Sequence, residues 1–343
     1  MRAGWPPLEP DELLSSYLAR SAQIRGLSAQ SLVALNFPGS DVWNRDIDAN
    51  PPESLLLRLA QATDCELTAV REMTLMGMGG PTETLGGSGV CRWVNAIGIY
   101  HRSRTRYGLC YCPVCLDQTR YFDRHWRLSY WTVCPVHGLL LRDACPHCDA
   151  PLAPHRQQLD ICRCVNCHQL LTSSPFRAAI PTDSQGAITA AMQLPALHRY
   201  QPCLSATGQE YGAGMHLLLS AFLDARVRCW DAVGHARDRI ELRRIHQRHL
   251  DLQLLDEIVC RWPYSMLSMA QRFHLTQRSF RQPCPDWVAQ QVRQLPLGRM
   301  NGLGSPSLTR LRQARVAQLG RSLGWRTIRA QILIDIAGKR DGY

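Results

Sequence analysis

A mainly α-helical chain with a small zinc-ribbon-type β module in its middle is the fold class these 343 residues predict. Three observations carry it. Apolar residues recur at helical spacing in both end regions. Between them stand four pairs of residues able to ligate a metal: Cys112 with Cys115, Cys134 with His137, Cys145 with Cys148, and Cys164 with Cys167. A run containing Gly77, Gly79, Gly80, Pro81, Gly86, Gly87 and Gly89 divides the first helical region from the pairs. The expected organisation is an acidic, helix-turn-helix-like N-terminal domain at 1–78, a Gly-rich linker at 79–90 and a double zinc-finger module at 91–172. A basic helical C-terminal domain at 173–343 follows.

The first element starts behind Pro10-Asp11-Glu12, whose acids suit a helix N-terminus, and repeats Leu13, Leu14, Tyr17, Leu18 and Ile24 on one face. Two stretches look like helix-turn-helix units. In one, Ala22 and Gly26 precede a helix from Leu27 and Ser28 through Leu32 and Leu35. In the other, Leu59–Asp64 leads into Glu66–Val70. Six basic against eleven acidic residues give residues 1–90 a net charge of −5. Protein packing is therefore expected here rather than DNA contact, because a negative surface repels phosphate. Acids such as Asp46 and Asp48 are expected to be exposed and to meet a basic partner.

The pairs carry the strongest chemistry. Two thiolates, or a thiolate and an imidazole, with two residues between them can turn back onto one ion, and two such knuckles complete a tetrahedral zinc shell. Eight ligands make two closed, structural sites. Pairing the first knuckle with the second and the third with the fourth closes the shortest loops. At the fourth pair the choice among Cys162, Cys164, Cys167 and His168 stays open, and Cys110 sits beside the first pair. Between knuckles, Trp126, Leu128 and Tyr130 alternate with polar neighbours, which predicts ribbon strands. The aromatics are expected in the module's core more than stacked on bases.

The C-terminal region reads as helices. At 265–281, Ala270 marks a tight helix crossing, Leu275 packs beneath the turn and Thr276 N-caps a second helix presenting Gln277, Arg278 and Arg281. These residue types reach base edges or phosphates, so they are the candidate nucleic-acid contacts. A further amphipathic run, Leu308 to Ile336, is rich in arginine. Residues 176–343 carry a net +11, a balance that favours a polyanion.

Several classes are excluded. Lys339 is the only lysine, so there is no P-loop, and the zincin, nucleophile-elbow and dinucleotide motifs are absent. A zinc nuclease is disfavoured because both shells are full. No run approaches a membrane span and no signal peptide opens the chain, so a bacterial cytoplasmic protein without catalysis is expected. The isolated Cys65, Cys91, Cys203, Cys229, Cys260 and Cys284 are expected to be small buried hydrophobes.

Residues 7–172 resemble the TniQ/TnsD family of transposon target-selection proteins. The resemblance is carried by Pro10-Asp11-Glu12-Leu13-Leu14-Ser15-Ser16-Tyr17-Leu18-Ala19-Arg20 and by Tyr111-Cys112-Pro113-Val114-Cys115-Leu116. After Trp126 it continues in Val133-Cys134-Pro135-Val136-His137-Gly138, Leu141 and Cys145-Pro146-His147-Cys148. It implies a non-catalytic adaptor with two structural zinc ions on the eight residues named above. Cys162 departs from the family pattern. The implied partners are an AAA+ ATPase, through it a DDE transposase, and target DNA bound directly or through an RNA-guided Cascade-type effector, in some members as a homodimer. The competing expectation is a zinc-containing helix-turn-helix transcription regulator acting through 265–281.

Overall fold

Helix α1 (Leu14–Ile24) buries Leu14, Tyr17, Leu18 and Ala22 along one stripe, while Ile24, expected on the same face, is exposed at the helix end. Its first turn is held by a carboxylate: Asp48 accepts from the Ser15 N–H at 2.8 Å and the Ser15 hydroxyl at 2.9 Å. It ends where Gly26 takes φ +66° and Leu27 donates back to Ala22 O at 2.8 Å, a reversal that glycine permits without a Cβ clash. Ser28 then caps α2 (Ala29–Asn36) by accepting from Ser31 N–H at 3.0 Å. A second pair, α3 (Glu53–Thr63) and α4 (Leu67–Glu72), turns at Asp64, φ +58°. The two pairs enclose a core of Leu14, Tyr17, Leu32, Phe37, Leu55 and Leu59.

The fold is a computed structural model describing residues 4–76, 78, 90–157, 160–173, 176–193, 208–229, 239–280 and 283–298. Its middle holds two small antiparallel hairpins. β1 (Ile99–Tyr100) pairs with β2 (Ser103–Arg104), Ile99 opposite Arg104. β3 (Val133–Cys134) pairs with β4 (Leu139–Leu140), Cys134 opposite Leu139. Helix α5 (Pro113–Thr119) starts on the first knuckle. The strands expected through Trp126, Leu128 and Tyr130 do not form. Arg124–Arg127 is a 3-10 turn whose cap, Asp123, accepts from His125 N–H at 2.7 Å, and Leu128 bridges only Val94. All three are buried in the core, where Trp126 meets Phe122 edge-on at 6.1 Å.

The remaining described residues form α6 (Asp183–Gln193), α7 (Gly208–Cys229), α8 (Ile245–Val259), α9 (Tyr264–Arg272) and α10 (Asp286–Val292). Leu218, Leu219 and Phe222 of α7 share one core with Tyr111, Phe122 and Trp126 of the module and with Leu13, Ala19 and Leu75 of the N-terminal helical region, the head (residues 1–78). Met1–Leu297 form one compact unit and Gly298–Tyr343 another. The arginine-rich run Leu308–Ile336 lies outside the described residues. Ala270 and Leu275 are buried as expected. The second helix expected after Thr276 is instead a single 3-10 turn, Gln277–Ser279. Pro283 and Pro285 follow within a few residues and deny it the donors an α-helix needs. Among the described residues no helix is long and apolar enough to cross a membrane.

Asp46 and Asp48 are not the exposed acids expected. Arg127, fully buried, reaches Asp46 at 2.5 Å and Asp48 at 3.1 Å, and Arg104 lies 4.0 Å from Asp48. Asp48 is buried, and Asp46 keeps about a quarter of its side chain in contact with water. Asp11 likewise pairs with Arg124 at 2.7 Å, and Glu12 with Arg20 at 2.6 Å. Part of the negative charge counted in the first 90 residues is thus consumed inside the protein. A charge tally cannot separate paired from solvated acids.

Candidate metal centres

The eight residues of the four pairs come together in two groups of four, Cys112, Cys115, Cys134 and His137, then Cys145, Cys148, Cys164 and Cys167. Within each group the ligand atoms all lie within 4.8 Å of one another. The first pair with the second and the third with the fourth is the arrangement that short loops favour.

One local turn builds three of the knuckles. The residue four after the first cysteine donates its N–H back to that cysteine's carbonyl: Gly138 to Cys134 at 2.9 Å, Asp149 to Cys145 at 2.9 Å, His168 to Cys164 at 3.0 Å. All three adopt left-handed backbone, φ +58°, +54° and +59°. His168 is therefore a turn residue, exposed, and not in the ligand group. The remaining knuckle uses the helix instead, with Cys112 at the N-cap of α5, Pro113 in its first turn and Cys115 one turn in. Cys162 is buried with its Sγ 3.6 Å from Leu116 O, and burial pushes its thiol up to about 12. Cys110 meets the Arg248 guanidinium at 2.9 Å. Neither is in a ligand group.

The spacing fits a four-coordinate ion. Thiolates about 2.3 Å from a tetrahedral zinc are separated by about 3.8 Å along an edge, and a thiolate–imidazole edge is about 3.6 Å. Here Cys115 and Cys134 Sγ are 3.7 Å apart, and Cys145–Cys167 and Cys148–Cys164 are each 3.6 Å apart. His137 Nδ1 lies 3.2–3.5 Å from its three sulfurs. Backbone N–H groups of His147 and Asn166 point at Cys145 and Cys164 Sγ at 3.5 and 3.3 Å, as suits thiolate acceptors.

The nucleic-acid candidates are placed less uniformly. Gln277 is partly buried, and its amide donates to Arg293 O at 3.1 Å and Leu295 O at 2.9 Å, joining the 3-10 turn to the end of α10. Arg278 is exposed, and Arg281 lies outside the described residues. Among the isolated cysteines, Cys65, Cys91 and Cys284 are partly buried and Cys260 is exposed, against the expectation of burial. Cys260 closes α8 at its solvated end. Cys203 and the Cys229 side chain fall outside the description.

Sequence reasoning gave no sign of a second polar knot. Glu241, buried, accepts from the Trp93 N–H at 2.9 Å and bonds His216 Nε2 at 2.7 Å; His216 in turn meets the Trp93 ring edge-on. Its partners stand up to 148 residues away, so no spacing pattern could reveal it. Burial works to raise the Glu241 carboxyl, but His216 and the backbone donors overcome this and hold it below the usual range. A carboxyl lowered in the fold adds stability above its unfolded value near 4.3, and loses it as pH falls through the folded value. Glu241→Gln is expected to lower the melting temperature at pH 7, and the deficit should shrink below about pH 4. Thermal melts across that range check it; a pH-independent deficit would count against the charge.

Fold and geometry define a mostly helical protein with a zinc-ribbon-like module, organised around two closed four-ligand groups able to coordinate metal. Residues 3–141, which hold both helix pairs and the first ligand group, match the TniQ family. No curated protein matches the chain.

Proposed function

We propose that the chain is a target-selection adaptor of a transposition system. It would link target DNA, bound directly or through an RNA-guided Cascade-type effector, to an AAA+ ATPase and so to the transposase. The observation that carries this reading is the TniQ match over residues 3–141, with its head and first ligand group built into one compact unit. Cys112, Cys115, Cys134 and His137 would hold one zinc, and Cys145, Cys148, Cys164 and Cys167 a second. Each ion would supply a fixed tetrahedral crosslink with no open position for a substrate. The transcription-regulator reading relied on a recognition helix after Thr276, where the chain makes only a 3-10 turn.

With Asp46 and Asp48 engaged internally, the ATPase contact falls to acids the head does expose, such as Glu66 and Glu72 at the two ends of α4. The full-length chain is expected to retain the AAA+ ATPase of the same transposon in a pull-down. Glu66→Arg with Glu72→Arg is expected to reduce that retention severalfold without altering metal content. Absence of any retention by the wild-type chain would remove the adaptor reading.

A further inference from the structure

The β1–β2 hairpin presents basic residues at the surface of the stretch that matches TniQ. From Val90 to Leu116 the sequence carries Arg92, His101, Arg102, Arg104 and Arg106 and no acidic residue. Tyr100, 68% exposed, packs its ring edge-on against His101 at 4.2 Å, and Arg102, Thr105 and Arg106 are exposed around it. Among the described residues neither Arg102 nor Arg106 has a carboxylate partner, unlike Arg20, Arg124, Arg127 and Arg244. Thr105 and Arg106 extend the ladder beyond β2 by donating to Gly98 O and Ile97 O at 2.7 and 3.1 Å. The Arg106 stem lies against Gly98, so its guanidinium is carried outward on a supported arm.

The hairpin is also held in place. His155 bonds the Arg102 carbonyl at 3.1 Å and stacks on Trp43 of the head at 4.8 Å. Arg156, itself exposed, donates to Ser103 Oγ at 2.9 Å and adds a third cation beside the turn. Arg104 points the other way, inward, to Leu152 O and Ser15 Oγ. Neighbouring Arg102 is a groove of about 510 Å³ between α2 and the Phe37–Trp43 loop, where Asp41 is the one carboxylate among the lining residues. A mobile loop loses backbone entropy when it meets a ligand, whereas a braced turn has already lost it and leaves only the side chains to be ordered.

We propose that this hairpin is a nucleic-acid contact, with Arg102 and Arg106 seated on backbone phosphates of a DNA duplex and Arg156 alongside. Guanidinium groups on a fixed turn, with no carboxylate partner among the described residues, match phosphate in charge and in hydrogen-bond geometry. The proposal deepens the adaptor reading and rests on it for the identity of that DNA. It moves part of the DNA contact from the basic C-terminal region to the zinc-module side of the stretch that matches TniQ.

The test uses the full-length protein and a short random-sequence DNA duplex, with affinity measured by fluorescence anisotropy over a range of salt. Arg102→Gln with Arg106→Gln keeps both stems and the Arg102 carbonyl, so the anchor from His155 survives. Binding is expected to weaken about tenfold or more at low salt, and the slope of log affinity on log salt to fall by about 2. Arg163→Gln, at an exposed arginine outside the hairpin, should leave both unchanged. An unaltered slope and affinity in the double variant would overturn the proposal. So would failure of the wild-type chain to bind duplex at any salt. Pull-down of the AAA+ ATPase is run on the same samples. Lost ATPase capture with intact, hairpin-dependent DNA binding would sink the adaptor reading and leave the hairpin contact standing.

Discussion

Cys112→Ser is expected to halve the zinc content and unfold most of the compact unit, a larger loss than any substitution outside the two ligand groups. A structural zinc shell contributes on the order of 10 kcal/mol of apparent binding energy, against a net stability of about 5–15 kcal/mol for a whole domain. The first ligand group is also the one joined to the head. Cys112 and Cys134 lie in the same core as Tyr111, Leu116 and Phe122, as do Cys145 and Cys164 of the second group. Phe122 is tied to the head twice, its N–H donating to Ser16 Oγ at 2.9 Å and its carbonyl accepting from Leu13 N–H at 2.9 Å. Loosening the first group therefore loosens the seat of α1. Cys145→Ser is expected to release one zinc as well, with damage more confined to residues 145–171. Elemental analysis of the purified chain and calorimetric melts check both variants. Fewer than two zinc ions in the wild-type protein would overturn the assignment.

The parts of this molecule that were legible in its sequence are those written in short-range code. The ligands of each knuckle lie within a few residues of one another, and α1 to α4 follow from apolar spacing and from boundary signals such as Gly26, which ends α1, and Ser28, which caps the start of α2. Secondary structure between the knuckles was misread because alternating burial has two causes. Trp126, Leu128 and Tyr130 alternate with polar residues as a strand would, yet a 3-10 turn running into extended chain buries the same positions. The second helix after Thr276 failed for a different reason, since the prolines at 283 and 285 outweigh a plausible N-cap. Least legible were the polar contacts between distant segments. The head's negative charge was visible, but that Asp46 and Asp48 pair with Arg127 across about 80 residues was not. The count held one half of the complementarity without its addresses.

That complementarity makes Arg127 the second position where one substitution should matter most. Its guanidinium is fully buried and touches Asp46, Asp48 and the Asn95 carbonyl, while Asp48 also holds the first turn of α1 through Ser15. Arg127→Met leaves Asp48 buried with Arg104 at 4.0 Å as its nearest cation. Breaking a buried pair in this way costs about 3–5 kcal/mol, because the remaining charge has lost both water and partner. Arg127→Lys should recover only part, since an ammonium cannot span two carboxylates as a planar fork does. Burial already pushes the Asp48 carboxyl up, with Arg127 the largest opposing influence, so removing the arginine raises it further. A carboxyl raised in the fold is destabilising where the unfolded chain ionises, and the penalty fades as pH falls toward the unfolded value near 3.9. The deficit of Arg127→Met against wild type is accordingly expected to shrink between pH 7 and pH 5 in urea melts. Adding Asp48→Asn should recover part of the loss at pH 7, a non-additivity expected of groups in direct contact. A deficit indifferent to both pH and the second substitution would mean that Arg127 acts by packing alone.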